Sequence, residues 1–216
     1  LELKMNDILI ERVEHVKNVG LVVDEQLNFS NHISKIKQRI TPFVAKLFRI
    51  RRFITEEAAL KLYYAHVYSH LIFMNALWSV APLYLIESLG VIQRKALRTV
   101  FKKDRLCHNH ELFNENLLPL SSINIMHENI VLENHNLMKN NILLQTANMI
   151  HGRDTRNKLD FVSHSANSSA GQKNFYIRAV KSFNNLPSYV KKFHSIGLFK
   201  TRLKEFLVTT IVNDEI

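Results

Sequence analysis

The chain has 216 residues, of which 46% are hydrophobic, with few glycines (5) and fewer prolines (4); a sizeable core of long regular elements is expected, and a loop-rich scaffold is excluded. Lys and Arg exceed Asp and Glu by 29 to 19, and the excess is local: residues 32–105 hold 14 basic and 4 acidic side chains, the remainder 15 of each. Such a concentration suits a polyanion-binding face, and a single cysteine, Cys107, excludes an internal disulfide and fits a reducing, intracellular setting, nuclear or cytoplasmic.

The chain begins with Leu and carries no cleavable signal, so it reads as a fragment of a longer open reading frame. The first 24 residues read as strands. Leu1, Leu3 and Met5 alternate with polar residues, Asn6-Asp7 offers a tight turn, and Ile8, Ile10 and Val13 resume the pattern. The β-branched run Val16–Asp24 suggests a third strand, which makes residues 1–29 a short β-meander that must lean on something larger.

From Ser30 the period changes to that of a helix. Ser30 or Asn31 can cap it, Ile33, Ile36, Ile40, Val44 and Leu47 form its apolar stripe, and Pro42 should kink it. Lys35, Arg39, Lys46 and Arg49 fall on a separate stripe, followed by Arg51 and Arg52. A second helix starts at Thr55, with Glu56 and Glu57 in its first turn, and continues through Leu60, Tyr64, Val67, Leu71 and Trp78. Its span Leu62–Ile86 lacks Asp, Glu, Lys and Arg and could cross a bilayer by length. His66, His70, Asn75 and Pro82 make a buried helix and turn the better reading, so no membrane partner is expected. Pro82 opens a third helix carrying Leu85, Leu89, Ile92, Ala96, Leu97 and Val100, interleaved with Arg94, Lys95, Arg98 and Lys102; Lys103 and Arg105 extend this second basic cluster.

Residues 104–120 read as a loop ending at Pro119, and Ser121 to about Asn140 as a helix that completes a domain over 30–150. Residues 151–172 are rich in Ser and Asn and read as a flexible linker. The C-terminal segment 173–216 holds a helix over Phe175–Phe183, a break at Asn185-Leu186-Pro187 and a final amphipathic helix around Leu198–Val208. The fold class is therefore mainly α: a helical bundle with a short N-terminal β-meander, a linker and a terminal helix.

Four segments in series resemble one family. Val16 to Phe29, then His32-Ile33, resembles the k-Y-L-G-v-x-i-D-x-x-L-x-w-x-x-H-i segment that leads from palm to thumb in non-LTR, LINE- and jockey-like retrotransposon reverse transcriptases; Val19 stands where the family has Leu, and Asn18 where it has Tyr or Phe. Leu62-Tyr63 through Trp78 is similar to the thumb helix, with Phe73 and Asn75 in place of Tyr-Gly. Gln93-Arg94-Lys95-Ala96-Leu97-Arg98 resembles the l-Q-r-k-a-l-R segment. Thr155-Arg156, Ser182 to Pro187, Ser195, Phe199-Lys200 and Leu203-Lys204 resemble the post-thumb pattern.

The resemblance implies the end of a palm, a thumb and a post-thumb region of an RNA-directed DNA polymerase. Its partners would be an RNA/DNA template–primer and the upstream palm of the full-length protein. Polymerase palms hold two metal ions on paired aspartates, and the family keeps them in an aromatic-x-Asp-Asp motif. No Asp-Asp pair occurs here, so no polymerase activity and no cofactor are expected of this chain; Mg would belong to the palm. A thumb tracks the phosphate backbone, for which cations on helices suffice. The expected nucleic-acid contacts are Lys35, Arg39, Lys46, Arg49, Arg51, Arg52, Arg94, Lys95, Arg98 and Lys102, which would line one groove if their two helices pack side by side.

Other chemistry is weaker. His66 and His70, four apart, and Cys107-His108-Asn109-His110 lack a second cluster at zinc-site spacing and read as loop or core residues. Tyr63, Tyr64, Tyr68, Phe73 and Trp78 could stack on bases, but at helical spacing among Leu and Val they read as core. The alternative function is a helical protein-interaction scaffold or degenerate transposon remnant, recognisable by scattered charge and an exposed apolar groove.

Overall fold

A computed structural model describes residues 3–5, 8–138, 144–152, 158–162 and 165–213. The chain is mainly α-helical with short antiparallel strands at its N-terminus. Strand β1 (Leu3–Met5) pairs with β2 (Ile8–Ile10), Leu3 opposite Ile10; the expected Asn6-Asp7 turn lies outside the described residues. The run Val16–Asp24 is not the single third strand its composition suggests. It folds back on itself as β3 (His15–Asn18) and β4 (Leu21–Asp24), with Asn18 opposite Leu21. Val19 (φ 47) and Gly20 (φ 92) form the two-residue turn. Two positive φ values in succession are the geometry whose twist suits a tight hairpin, and glycine makes the second one inexpensive. The strands thus pair as two separate two-stranded sheets. Strand β4 buries Leu21 and Val22 and packs on the first long helix.

The carboxylate of Asp24 organises the descent into that helix. It accepts backbone N–H groups from Gln26 (3.2 Å), Asn28 (2.9 Å) and Phe29 (2.6 Å). Helix α1 (Ser30–Ile50) therefore starts from a left-handed Phe29 (φ 53) and not from the expected Ser30 or Asn31 cap, which leaves no side-chain cap of its own. Pro42 stands inside α1, and His32, Ile33, Ile36, Ile40, Val44 and Leu47 form its buried face.

The expected second helix is broken. Thr55 caps α2 (Glu56–Tyr63) by accepting from Ala58 N at 3.3 Å; a π turn (Tyr64–Tyr68) and α3 (Ser69–Ile72) follow. Tyr63, Val67 and Leu71 are each fully buried and four apart. On an α-helix that spacing drifts about 40° per step, and a wider turn keeps all three pointing inward. The helix then ends where Phe73 turns extended (ψ 115) and Met74 left-handed (φ 50), before α4 (Asn75–Trp78). Side chains satisfy the carbonyls freed there: Trp78 Nε1 donates to Phe73 O (2.8 Å), and Asn75 Nδ2 to Leu71 O (3.2 Å). Of the aromatics expected in the core, Tyr63 and Trp78 are fully buried and Tyr64 and Tyr68 partly so; Phe73 is 44% exposed.

Helix α5 (Leu83–Val100) begins after Pro82, as its sequence predicts, and lies along α1. Its buried Gln93 donates to Tyr63 Oη (3.2 Å) and Leu118 O (3.0 Å) and accepts from Leu120 N (2.8 Å), pinning the loop 101–119 and the start of α6 (Leu120–Met138). The expected end of α6 near Asn140 lies outside the described residues. Helix α6 packs on one side against α4 and α5 and on the other against α9 (Phe175–Asn184) and α11 (Ile196–Asn213). Two cores result. One joins β4 and α1–α5; the other joins Ile123, Met126 and Leu132 of α6 to Phe183, Val190, Phe199 and Leu203, with α10 (Ser188–Lys191) supplying Val190. Along the chain between α6 and α9 come the short helices α7 (Ala147–His151) and α8 (Ser169–Gln172). Within the stretch read as a linker, Phe161 is buried in the second core, and its N–H and C=O are both bonded by the Asn184 side chain at 2.9 Å. Thr155-Arg156 lies outside the described residues.

Candidate nucleic-acid interface

Helix α1 places its cations by simple geometry. At about 100° per residue, Lys35, Arg39, Lys46 and Arg49 share an arc of about 80°, well away from the Ile-rich face that meets α5. All four are exposed. The structure then divides the ten expected residues between two clefts and the open surface.

The first, an interhelix cleft of about 530 Å³, is lined by Phe48 and Arg51 at the end of α1, Val91, Lys95, Arg98 and Thr99 of α5, and Lys103 and Arg105 beyond it. Five cations and no carboxylate face this space. Arg51 stacks on the Phe48 ring, its guanidinium carbon 4.1 Å from the ring centre, which holds the charge at the rim. Arg98 donates to Cys107 O at 3.2 Å, while its buried Nε has no hydrogen-bond partner. Lys103 is tied to Glu111 at 2.7 Å; this pair raises the ammonium pKa and lowers that of the carboxyl.

The second cleft, about 580 Å³, lies between the β3–β4 hairpin, α1 and α3. It is lined by Lys17, Gly20, Val22, His32, Lys35, Ile36, Arg39, Ser69, His70 and Phe73. Again no carboxylate lines it. Burial, reinforced by Lys35 and Arg39, pushes the His32 pKa down; burial, with Arg39 and His66, does the same at His70. Both rings are thus biased toward the neutral form, and Val22 N–H donates to His32 Nδ1 at 3.4 Å.

Arg51, Lys95 and Arg98 therefore meet in one cleft and Lys35 and Arg39 in another, instead of all lining a single groove. Lys46, Arg49, Arg52, Arg94 and Lys102 line neither; Arg94 is paired with Glu87 at 2.6 Å. Lys17, His32 and His70 were not among the expected contacts. Helical periodicity could not find Lys17, which comes from a hairpin; His70 reads as a loop or core residue, and His32 enters only through the family resemblance.

Among the described residues no group of three or more His, Cys, Asp or Glu side chains is placed to hold a metal ion. His66 stacks on Phe43 with ring centres 4.3 Å apart, and His108 on His110 at 5.5 Å. No described helix is long and apolar enough to cross a membrane. Comparison of the chain with protein-family models, with curated proteins and with solved structures finds no match.

Proposed function

We propose that this chain is a non-catalytic nucleic-acid-binding region, of the thumb and post-thumb kind found in retrotransposon RNA-directed DNA polymerases, that grips template–primer through phosphates. The observation that carries this reading is the interhelix cleft: five cations from the end of α1, α5 and the following loop line it with no carboxylate in the lining, only Lys103 of the five being tied to a carboxylate, that of Glu111, among the described residues. Point charges on rigid helices suit sequence-independent contact with a backbone, each neutralised phosphate releasing counterions. The local concentration of charge and the series of family-like segments support the same reading. RNA–DNA hybrid is the expected ligand and the upstream palm the expected neighbour.

Binding of the chain to a fluorescent RNA–DNA hybrid across a salt series tests this. Affinity should fall steeply with salt, and Arg51→Ala/Lys95→Ala/Arg105→Ala should reduce the slope of log K against log salt by about 2 to 3. A flat salt response, or identical slopes for the two proteins, sinks the reading. The protein-scaffold alternative draws on the exposed Leu83 (81%) and Tyr84 (71%) in the first turn of α5. It predicts no salt-dependent hybrid binding at all.

A further inference from the structure

We propose that the hairpin cleft binds one phosphorylated nucleotide unit, holding its phosphate with Lys35, Arg39 and His32 and its base against Phe73. The proposal deepens the nucleic-acid reading and rests on it.

Three observations carry it. First, Lys17, Lys35 and Arg39 face this cleft with no carboxylate in its lining, and none of the three is in an ion pair among the described residues. Cations brought together without an internal counter-charge repel one another, and an anion between them relieves that repulsion. Second, His32 is 5% exposed and lines the cleft, and its Nε2 has no hydrogen-bond partner. Because Nδ1 accepts from Val22 N–H, the neutral ring carries its proton on Nε2, which makes that atom a buried donor awaiting an acceptor. Native structures seldom leave such a donor orphaned; closed to water as the ring stands, it meets a phosphate oxygen when the ring turns toward the cleft as the anion enters. Third, the break after α3 leaves Phe73 44% exposed in the lining, against Gly20, where an added Cβ would come within 3.4 Å of the ring. An aromatic face beside a cation cluster is how sequence-tolerant sites hold a base and its phosphate together. The volume of about 580 Å³ is in the small-molecule range and suits a nucleotide better than a bare phosphate.

The test uses the full chain and adenosine 5′-monophosphate, followed by calorimetry and by emission of Trp78. That residue is the chain's only tryptophan, and its ring centre is 6.1 Å from that of His32. Saturable binding with a change in Trp78 emission is expected, at least tenfold weaker for adenosine and for inorganic phosphate. Lys35→Ala/Arg39→Ala, both at exposed positions, should weaken it at least tenfold with an unchanged melting temperature. Phe73→Leu should weaken the nucleotide several-fold and leave inorganic phosphate unaffected. Absence of saturable binding, or equal binding by the Lys35/Arg39 variant, overturns the proposal; inorganic phosphate binding as tightly as the nucleotide overturns the role of Phe73. The Arg51/Lys95/Arg105 variant separates the two ideas, since it should bind the nucleotide as the parent does. Hybrid binding without nucleotide binding defeats this proposal alone, and nucleotide binding without hybrid binding defeats the proposed function alone.

Discussion

At the scale of single residues, the cationic surface and the core meet at histidines. His32, His70 and His127 each have a pKa pushed below the ordinary 6.5, burial being the largest cause in all three. A depressed histidine pKa means that, between the folded value and 6.5, the unfolded chain holds protons that the folded chain refuses. The stability tied to these rings is fully present above pH 6.5 and is lost as pH falls below it. The denaturant midpoint should therefore be flat from pH 8 to 7 and should drop from pH 6.5 to 5.5, with no loss of hybrid charge contacts to blame because no ligand is present. His127→Gln, placed outside both clefts, should blunt the drop. A midpoint that stays level or rises through that window would contradict the burial argument. The carboxylate of Asp24 shows the opposite economy: one half-buried acid at the end of β4 satisfies three backbone donors and so replaces the missing cap of α1.

At the scale of elements, the β3–β4 hairpin is built on a compromise. Val19 is β-branched, 74% exposed and held at φ 47, a region that such side chains enter at a cost of about 1–3 kcal/mol. Asn-Gly is the preferred pair for a turn with two positive φ values. Val19→Asn should raise stability by about 1 kcal/mol, seen as a higher melting temperature with unchanged binding; an unchanged or lower value would mean that Val19 makes a contact its exposure conceals. The same element explains where the sequence could and could not be read. Helices α1, α5, α9 and α11 were legible because their apolar residues recur at three and four, and the cations between them follow by geometry. The turn at Val19-Gly20 was hidden inside a Val-rich run that has the composition of one strand. The break at Phe73-Met74 was hidden because no proline marks it, and the bonds that hold it come from Trp78 and Asn75 after the fact. The clefts were only half legible. Which side of α1 a cation serves depends on what packs there, and the hairpin brings Lys17 to Lys35 from outside any helical repeat.

At the scale of the molecule, the two cores are joined by a polar rivet. Glu128 of α6 accepts from Arg178 of α9 at 2.5 Å and from Ser79, just after α4, at 2.9 Å; Arg178 also donates to Ala76 O at 3.0 Å. Glu128 is 8% exposed and the Arg178 side chain 19%, so water screens the pair poorly. No local pattern announces such a contact, since its partners are 50 and 99 positions apart and each reads as an ordinary polar residue on a helix. Removing one partner leaves the other charged, buried and unmatched, a change that costs about 3–5 kcal/mol in comparable pairs. Glu128→Ala should therefore destabilise the chain by about that amount. It should also lower the cooperativity of unfolding, because α4 and α6 lose the bond that couples their cores. Glu128→Ala/Arg178→Met, which removes both charges, should recover most of the loss. If the single and double variants are equally destabilised, the pair is not what holds the cores together, and the Asn75 Nδ2–Asn124 Oδ1 bond at 2.7 Å is a further tie to test.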